Sequence, residues 1–261
     1  MNLNKRILFV VEGADTERKN VEHMFHDILG LAEGDDFSIS IYGTTFHSLI
    51  KDFFHSEIDS FPSYLKYKKV QDIYGNLLIE DGYRPNEVFS SIYLIFDFDP
   101  QSPDYNETLL EKALNTFDDE TRNGLLFVNY PMFESLFDIS KEDIIDFNRI
   151  RFVSIENIRS KTYKKEVNER TLFRNSRNKK IFKTLPPCYI PLTLVYNQKR
   201  HCRLLNETFF DGEELDQLNI YLEEKNLVNS KSSLLVLNTF IFILLRYKIA
   251  SSFLQFNLVN K

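Results

Sequence analysis

The stretch that most constrains the fold of this chain is Ile92 to Asp99, with the sequence IYLIFDFD. Its run of mostly apolar residues is typical of a buried strand, and it ends in two carboxylates, Asp97 and Asp99. Side chains alternate between the two faces of a strand, so residues two apart point the same way. We therefore expect both carboxylates on one side, at the carboxyl end of the strand, where open α/β sheets bind their ligands.

A pair of neighbouring carboxylates in a partly buried place needs compensation. Like charges repel, and burial of an isolated charge is costly. A hard divalent cation with oxygen ligands would offset both effects. The pattern at Asp97 and Asp99 therefore favours a metal site over a solvated strand end.

Apolar strand patterns alternate with helical patterns through the first half of the chain, which predicts an α/β fold with a mainly parallel sheet flanked by helices. Glu12 and Glu134 also follow predicted strands, so we expect them at the same sheet edge as the aspartates. The predicted strands are Arg6–Val11, Phe37–Tyr42, Ile92–Asp99 and Gly124–Asn129, and helices are expected to begin near Thr16, Phe46, Asn106 and Met132.

A mostly helical C-terminal extension is expected after this sheet. Residues 184–196 are rich in proline and predict an irregular connection. Helices are predicted over Gly212–Glu224 and Leu234–Phe256. The apolar C-terminal helix could either complete the core or serve as a docking surface.

Charge is distributed unevenly, although the whole chain has a net charge of only −6. Residues 1–148 carry a net charge of −16, whereas residues 149–183 carry 12 Lys and Arg against 3 Asp and Glu, a net charge of +9. We expect a catalytic domain over 1–148 and a basic and helical region over 149–261. A basic segment can bind phosphates, although charge runs are often only a solvated helical face. The candidate nucleic-acid-binding residues are Lys161, Lys164, Lys165, Arg170, Arg174, Arg177, Lys179 and Lys180.

Cysteine usage and hydropathy predict a cytoplasmic protein without a membrane segment. The two cysteines, Cys188 and Cys202, do not form a CxxC pair, and the N-terminal apolar run lacks a small-residue cleavage site. The longest apolar stretch, Leu234 to Leu245, is shorter than the roughly 20 residues that a spanning helix needs.

Three short motifs in this order resemble the Toprim nucleases of the OLD and RloB kind, which occur among phage-defence systems. They are VEGADTE (Val11 to Glu17), DFD (Asp97 to Asp99) and YPMFESLF (Tyr130 to Phe137), and the resemblance covers roughly residues 5–140. It implies a Toprim-like fold in which Asp97 and Asp99 bind Mg²⁺ or Mn²⁺ and Glu12 binds metal or transfers a proton. Glu17 and Glu134 would then be ligands of a second metal.

The resemblance implies an endonuclease that cleaves DNA or a structured RNA such as tRNA, acting in antiviral defence by abortive infection. A defence ATPase or a second copy of the chain, docked on the C-terminal helices, would be its partner. Two alternatives stay open. One is a catalytically silent Toprim subunit with a regulatory or assembly role. The other is a phosphatase, because LIFDFDP (Leu94 to Pro100) also resembles the motif of the haloacid dehalogenase family.

Overall fold

The chain forms two compact units, residues 1–127 and 128–261. The computed structural model describes residues 6–31, 36–43, 45–84, 88–146, 148–174, 182–212 and 215–247. The division falls inside the last long strand of the sheet, earlier in the chain than the boundary near residue 148 that the charge pattern indicated.

A five-stranded sheet with strand order β2-β1-β3-β5-β4 organises the first unit. Strand β1 lies between β2 and β3 and is parallel to both, whereas the short β4 runs antiparallel to β5. The predicted α/β fold with a mainly parallel sheet flanked by helices is therefore confirmed. The strands are β1 (Arg6–Val11), β2 (Phe37–Ile41), β3 (Phe89–Asp97), β4 (Asp118–Asp119) and β5 (Gly124–Asn129).

Side-chain caps fix where several helices of the first unit begin. The side chains of Thr45, Ser60 and Asn106 each accept a backbone N–H of the following helical turn, which satisfies a donor that has no partner within the helix. The predicted starts near Thr16 and Phe46 are confirmed, and Asn106 is the cap of its helix. The helices are α1 (Thr16–Glu22, followed by a π-helical turn over His23–Ile28), α2 (Phe46–His55), α3 (Phe61–Tyr67) and α4 (Glu107–Thr116).

Aromatic side chains fill the core of the first unit. Phe9 of β1 packs against Phe25 at 4.5 Å between ring centroids and stacks on Tyr93 of β3 at 5.6 Å. Residues 92–96 of β3 are all buried. Burial of each such side chain contributes about 1.5–3 kcal/mol, so the apolar part of β3 fixes the position of the polar residues that follow it.

The second unit combines helices with a two-stranded antiparallel sheet of β6 and β7. After β5, a 3₁₀ turn over Phe133–Phe137 stands where a longer helix was predicted to open at Met132. The remaining elements are α5 (Lys141–Ile145), β6 (Phe152–Ser154), α6 (Ile155–Arg159), α7 (Thr162–Arg170), α8 (Ile190–Leu205), α9 (Gln217–Lys231), β7 (Ser233–Leu235) and α10 (Ile243–Arg246).

Two predictions between residues 184 and 224 are wrong in detail. Residues 184–196 are not an irregular connection, because α8 begins at Ile190 after a 3₁₀ turn over Pro187–Tyr189. Proline is tolerated in the first helical turn, where its missing N–H costs nothing. The next helix begins at Gln217 rather than Gly212, after Asp216 caps it by accepting the N–H of Asn219.

The predicted helix over Leu234–Phe256 begins instead as strand β7, and residues 248–256 lie outside the described part. Asn238 and Thr239 are buried and bind the backbone at Phe133 and Val128. Such side-chain bonds compete with helical ones. Leu234–Leu237 and Phe240–Leu244 are buried within the second unit, which supports a core role for this segment.

Membrane-spanning segments are not found in the described part of the chain. None of its helices combines the length and the apolar composition that crossing a bilayer requires.

Candidate functional site

Polar side chains meet at the carboxyl ends of β1 and β3. Glu12 follows the last residue of β1, and Asp97 is the last residue of β3. The two strands are parallel neighbours with Val11 paired to Ile95, so both chains leave the sheet side by side. The backbone N–H of Asp97 donates a hydrogen bond to the Glu12 carboxylate. We call the group of Glu12, Glu17, Asp97 and Asp99 the acidic edge.

Asp99 belongs to this edge for a different reason than its strand position. Strand β3 ends at Asp97, two residues before the predicted end, so strand alternation does not orient Asp99. Asp99 lies in the turn that follows, where its carboxylate accepts the N–H of Gln101 and its carbonyl accepts the N–H of Ser102. Its charge still acts on Glu12 and raises the pKa of that carboxyl.

Glu17 approaches the edge over Gly13. Glu17 lies in the first turn of α1, and its carboxylate folds back over Gly13. A Cβ atom at position 13 would lie 2.7 Å from Glu17 Oε2, closer than real contacts allow. With a larger residue at position 13, the flexible end of the Glu17 side chain would have to move away from its present position.

Glu12 is the group with the most perturbed chemistry at this edge. Burial, reinforced by the nearby charges of Glu17 and Asp99, raises the pKa of Glu12 to about 7, although the Asp97 N–H lowers it. Glu12 Oε2 is buried and has no hydrogen-bond partner among the described residues. No cationic side chain of those residues is among the groups that shift its pKa. A cation is the missing partner that would resolve both features.

The donors of the acidic edge fit Mg²⁺ or Mn²⁺ in chemical type, since all are carboxylate oxygens. Their carboxylate oxygens lie farther apart than the ligands of a single bound ion. Within the described ranges, the one trio of His, Cys, Asp or Glu side chains whose ligand atoms all lie within 4.8 Å of one another is in the second unit. Glu12, Glu17, Asp97 and Asp99 would have to rotate their side chains to surround a single ion.

His47 is a residue beside this edge that the sequence did not single out. It lies in α2, is 2 % exposed, and packs edge-on against Tyr105 at 4.9 Å. Burial lowers its pKa, although the charges of Asp99 and Asp104 oppose this shift. Helical spacing is the one indication in the sequence that His47 is buried, because His47 and the buried Ile50 lie three residues apart on one face of α2.

The loop after Asp99 forms one wall of an open cleft of about 450 Å³. Helices α2 and α4 also line this cleft, with Lys51, His55 and Lys112. Lys51 binds Asp104 at 2.5 Å. The cleft thus combines basic side chains with the same loop that carries Asp99.

Glu134 belongs to the second unit and was predicted to be a metal ligand. Its side chain is 13 % exposed, and its carboxylate is bound by Lys164, one of the predicted nucleic-acid-binding residues. Glu134 and Lys164 therefore partly neutralise each other within this unit.

The basic segment divides into internal and exposed cations. Arg170 binds Asp138 and Glu166, and Arg174 donates to the backbone carbonyl of Asn168. Lys161 and Lys165 are exposed, and Lys165 lies only loosely against Glu169 at 3.9 Å. Arg177, Lys179 and Lys180, also predicted to bind nucleic acid, lie outside the described residues.

Comparisons of the chain with protein-family models, with curated proteins and with solved structures find no match. The functional argument therefore depends on the residues and their geometry.

Proposed function

We propose that the protein is a metal-dependent endonuclease of the Toprim kind, which cleaves phosphodiester bonds in DNA or structured RNA as a defence effector. The observation that carries the proposal is Glu12, which has a pKa of about 7 and a buried carboxylate oxygen without a hydrogen-bond partner among the described residues. Strongly perturbed carboxyl groups at the carboxyl ends of parallel strands are more typical of active sites than of structural positions.

Asp97, Asp99 and Glu12 would hold Mg²⁺ or Mn²⁺, with Glu17 able to join them. The bound metal would supply Lewis-acid stabilisation of the charge that develops on a phosphodiester during cleavage. A Glu12 carboxyl with a pKa of about 7 can accept or donate a proton near neutral pH. Gly13 keeps a side chain out of the space beside these groups.

Two features support a nucleic acid as the substrate. Basic side chains line the cleft beside the Asp99 loop, and Lys161 and Lys165 are exposed near the start of α7. Cations of this kind release counterions when they contact phosphates, which supplies affinity without sequence preference. The acidic composition of residues 1–148 makes such cations necessary for approach to a polyanion.

Cleavage of supercoiled plasmid and of total tRNA, with Mg²⁺ or Mn²⁺ and with a chelator, tests the proposal. We expect metal-dependent cleavage that falls at least about 10²-fold in Glu12→Gln and Asp97→Asn, the size of effect seen when one charge-stabilising group is removed. Asp81→Asn is the matched control, because the Asp81 side chain is fully exposed. It should cleave like the wild type.

Cleavage that survives in both edge variants would contradict the proposal. Binding of Mn²⁺ by the wild type but not by Glu12→Gln, without any cleavage, would instead favour a silent regulatory subunit. Hydrolysis of a small phosphomonoester that depends on Asp97 would favour the phosphatase alternative. The three outcomes are separated by the same set of variants.

A further inference from the structure

The end of α8 brings three chemically reactive side chains together in the second unit. Helix α8 ends at Leu205, and Asn206 adopts a left-handed conformation with φ 56°. Asparagine tolerates this conformation better than most residues, which makes it suitable for reversing the chain at a helix end. The N–H of Glu207 then bonds back to the carbonyl of Cys202 at 2.8 Å. This turn places Glu207 against the last turns of α8, where His201 and Cys202 lie.

His201 is buried in a way that its packing alone does not explain. Its side chain is only 2 % exposed, yet neither ring nitrogen has a hydrogen-bond partner among the described residues. Phe210 stacks on the ring with centroids 3.9 Å apart, and Phe242 contacts it edge-on at 5.7 Å. Buried polar atoms without partners are costly and rare in native proteins. A ligand for the imidazole would remove that cost.

The distance from His201 to Glu207 fits two ligands of one metal ion better than it fits a hydrogen bond. His201 Nδ1 lies 3.6 Å from Glu207 Oε2, too far for a hydrogen bond. The ligand atoms of His201, Cys202 and Glu207 all lie within 4.8 Å of one another. Two N or O ligands of a tetrahedral zinc ion, each at about 2.0–2.2 Å, are separated by about 3.4 Å.

We propose that His201, Cys202 and Glu207 form a site for a borderline-soft divalent metal of the zinc class. Imidazole and thiolate ligands select Zn²⁺ over Mg²⁺, which prefers oxygen ligands and octahedral geometry. Three protein ligands leave a fourth tetrahedral position for water or another ligand. Phe210 and Phe242 limit access of water to the imidazole side of the site. This metal would be chemically distinct from the Mg²⁺ or Mn²⁺ proposed for the acidic edge.

Zinc and cobalt titrations of the full-length protein test the site. We expect one Zn²⁺ per chain, and with Co²⁺ the visible bands of tetrahedral coordination together with a thiolate-to-cobalt charge-transfer band. Cys202→Ser should remove the charge-transfer band and weaken Zn²⁺ binding more than about 100-fold, beyond the range typical of outer-shell changes. Glu207→Gln should weaken binding while the thiolate band remains.

Cys188 provides the matched control, because it is the other free cysteine and is exposed. Cys188→Ser should bind Zn²⁺ like the wild type, and Zn²⁺ should protect Cys202 but not Cys188 from alkylation. A wild-type protein that binds no more Zn²⁺ than Cys202→Ser, with both folded by circular dichroism, would overturn the proposal. Loss of binding in Cys188→Ser would overturn it as well. Neither result would bear on cleavage at the acidic edge.

Discussion

Two carboxylates, one in each unit, lie in opposite electrostatic environments. Glu12 in the first unit has a buried oxygen without a hydrogen-bond partner, and burial raises its pKa to about 7. Asp138 in the second unit is completely buried and accepts hydrogen bonds from Tyr163 and from two nitrogens of Arg170. Glu12 receives the backbone N–H of Asp97 but no cation among the groups that shift its pKa, whereas Asp138 is surrounded by donors and arginine side chains.

Two buried aspartates and three arginines of the second unit form a network that we call the arginine cluster. Its members are Asp138, Asp143, Arg151, Arg170 and Arg200. Arg151 bridges the two aspartates, at 3.3 Å from Asp138 and 2.6 Å from Asp143. Burial raises the pKa of Asp143, but the N–H of Ser140 and the charge of Arg151 outweigh it, and the pKa is lowered overall. Arg200 donates to the backbone carbonyl of Asp138.

The difference teaches how to separate structural from functional charges in this chain. A buried carboxylate that the fold itself neutralises stabilises a particular arrangement of chain segments. A carboxylate that the fold places among other carboxylates without a cation is stabilised by a proton or by a bound cation. The basic segment shows the same division, because Arg170 serves the arginine cluster while Lys161 and Lys165 are exposed.

Loss of the Asp138 charge is expected to have the largest effect on stability. Asp138→Asn preserves the shape of the side chain but leaves Arg170 and Arg151 partly buried without their shared counterion. Breaking a buried pair in this way costs about 3–5 kcal/mol of unfolding free energy. Urea denaturation measures the change, and Asp97→Asn at the acidic edge is the control, expected within about 1 kcal/mol of the wild type. Equal destabilisation by the two variants would remove the contrast between the units.

The second prediction concerns Glu12, where removal of the charge should raise the free energy of unfolding rather than lower it. The pKa of Glu12 in the folded protein, about 7, exceeds the ordinary value of 4.5. The folded state therefore binds the proton more tightly than the unfolded state, and this contribution to stability is complete below about pH 4.5. It is lost as pH rises through about 7, at a cost on the order of 3 kcal/mol.

Glu12→Gln should remove that pH dependence in the presence of a chelator. We expect the variant to be more stable than the wild type by about 3 kcal/mol at pH 8 and equal to it near pH 4.5. Mg²⁺ should then stabilise the wild type at pH 8 and leave Glu12→Gln unchanged. Urea midpoints at the two pH values measure the effect. A variant that is less stable than the wild type at pH 8 would assign Glu12 a structural role.

The sheet could be predicted from sequence because β1, β3 and β5 each contain an apolar run, and β2 alternates between apolar residues and serine. Arg6–Val11 and Gly124–Asn129 were predicted with the bounds that the structure has. Glu12 and Asp97 could be placed at one edge because each stands at the end of such a run. Periodicity and strand ends are local signals, and here they were sufficient.

Features that depend on distant contacts could not be predicted. The segment after Leu234 has the composition of a helix, but Asn238 and Thr239 bind backbone groups more than 100 residues away in sequence. The pairing of Asp138 with Arg170 joins residues 32 apart, so Arg170 looked like a nucleic-acid ligand. The burial of His201 and its approach to Glu207 depend on the chain reversal at Asn206, for which the sequence offers only a weak signal.

The smallest expected effect separates the exposed cations from those of the arginine cluster. Lys161 and Lys165 are exposed, so replacing both by glutamine should leave the free energy of unfolding within about 0.5 kcal/mol of the wild type. If they contact phosphates, the affinity for duplex should fall several-fold, and the slope of log affinity against log salt should decrease by about 1 for each lysine. Fluorescence anisotropy with labelled duplex DNA and with tRNA over a range of salt concentrations measures both quantities.

Lys141→Gln is the matched control for that double variant. Lys141 is an exposed lysine of the same unit that lies outside the basic segment, so its removal should change neither affinity nor salt slope. A double variant that binds like the wild type would show that α7 is only a solvated face. If Lys141→Gln lowers the slope as much as the double variant does, binding follows the total charge of the unit. An effect confined to the double variant would place phosphate contacts near the start of α7, beside an arginine cluster that holds its own charges within the fold.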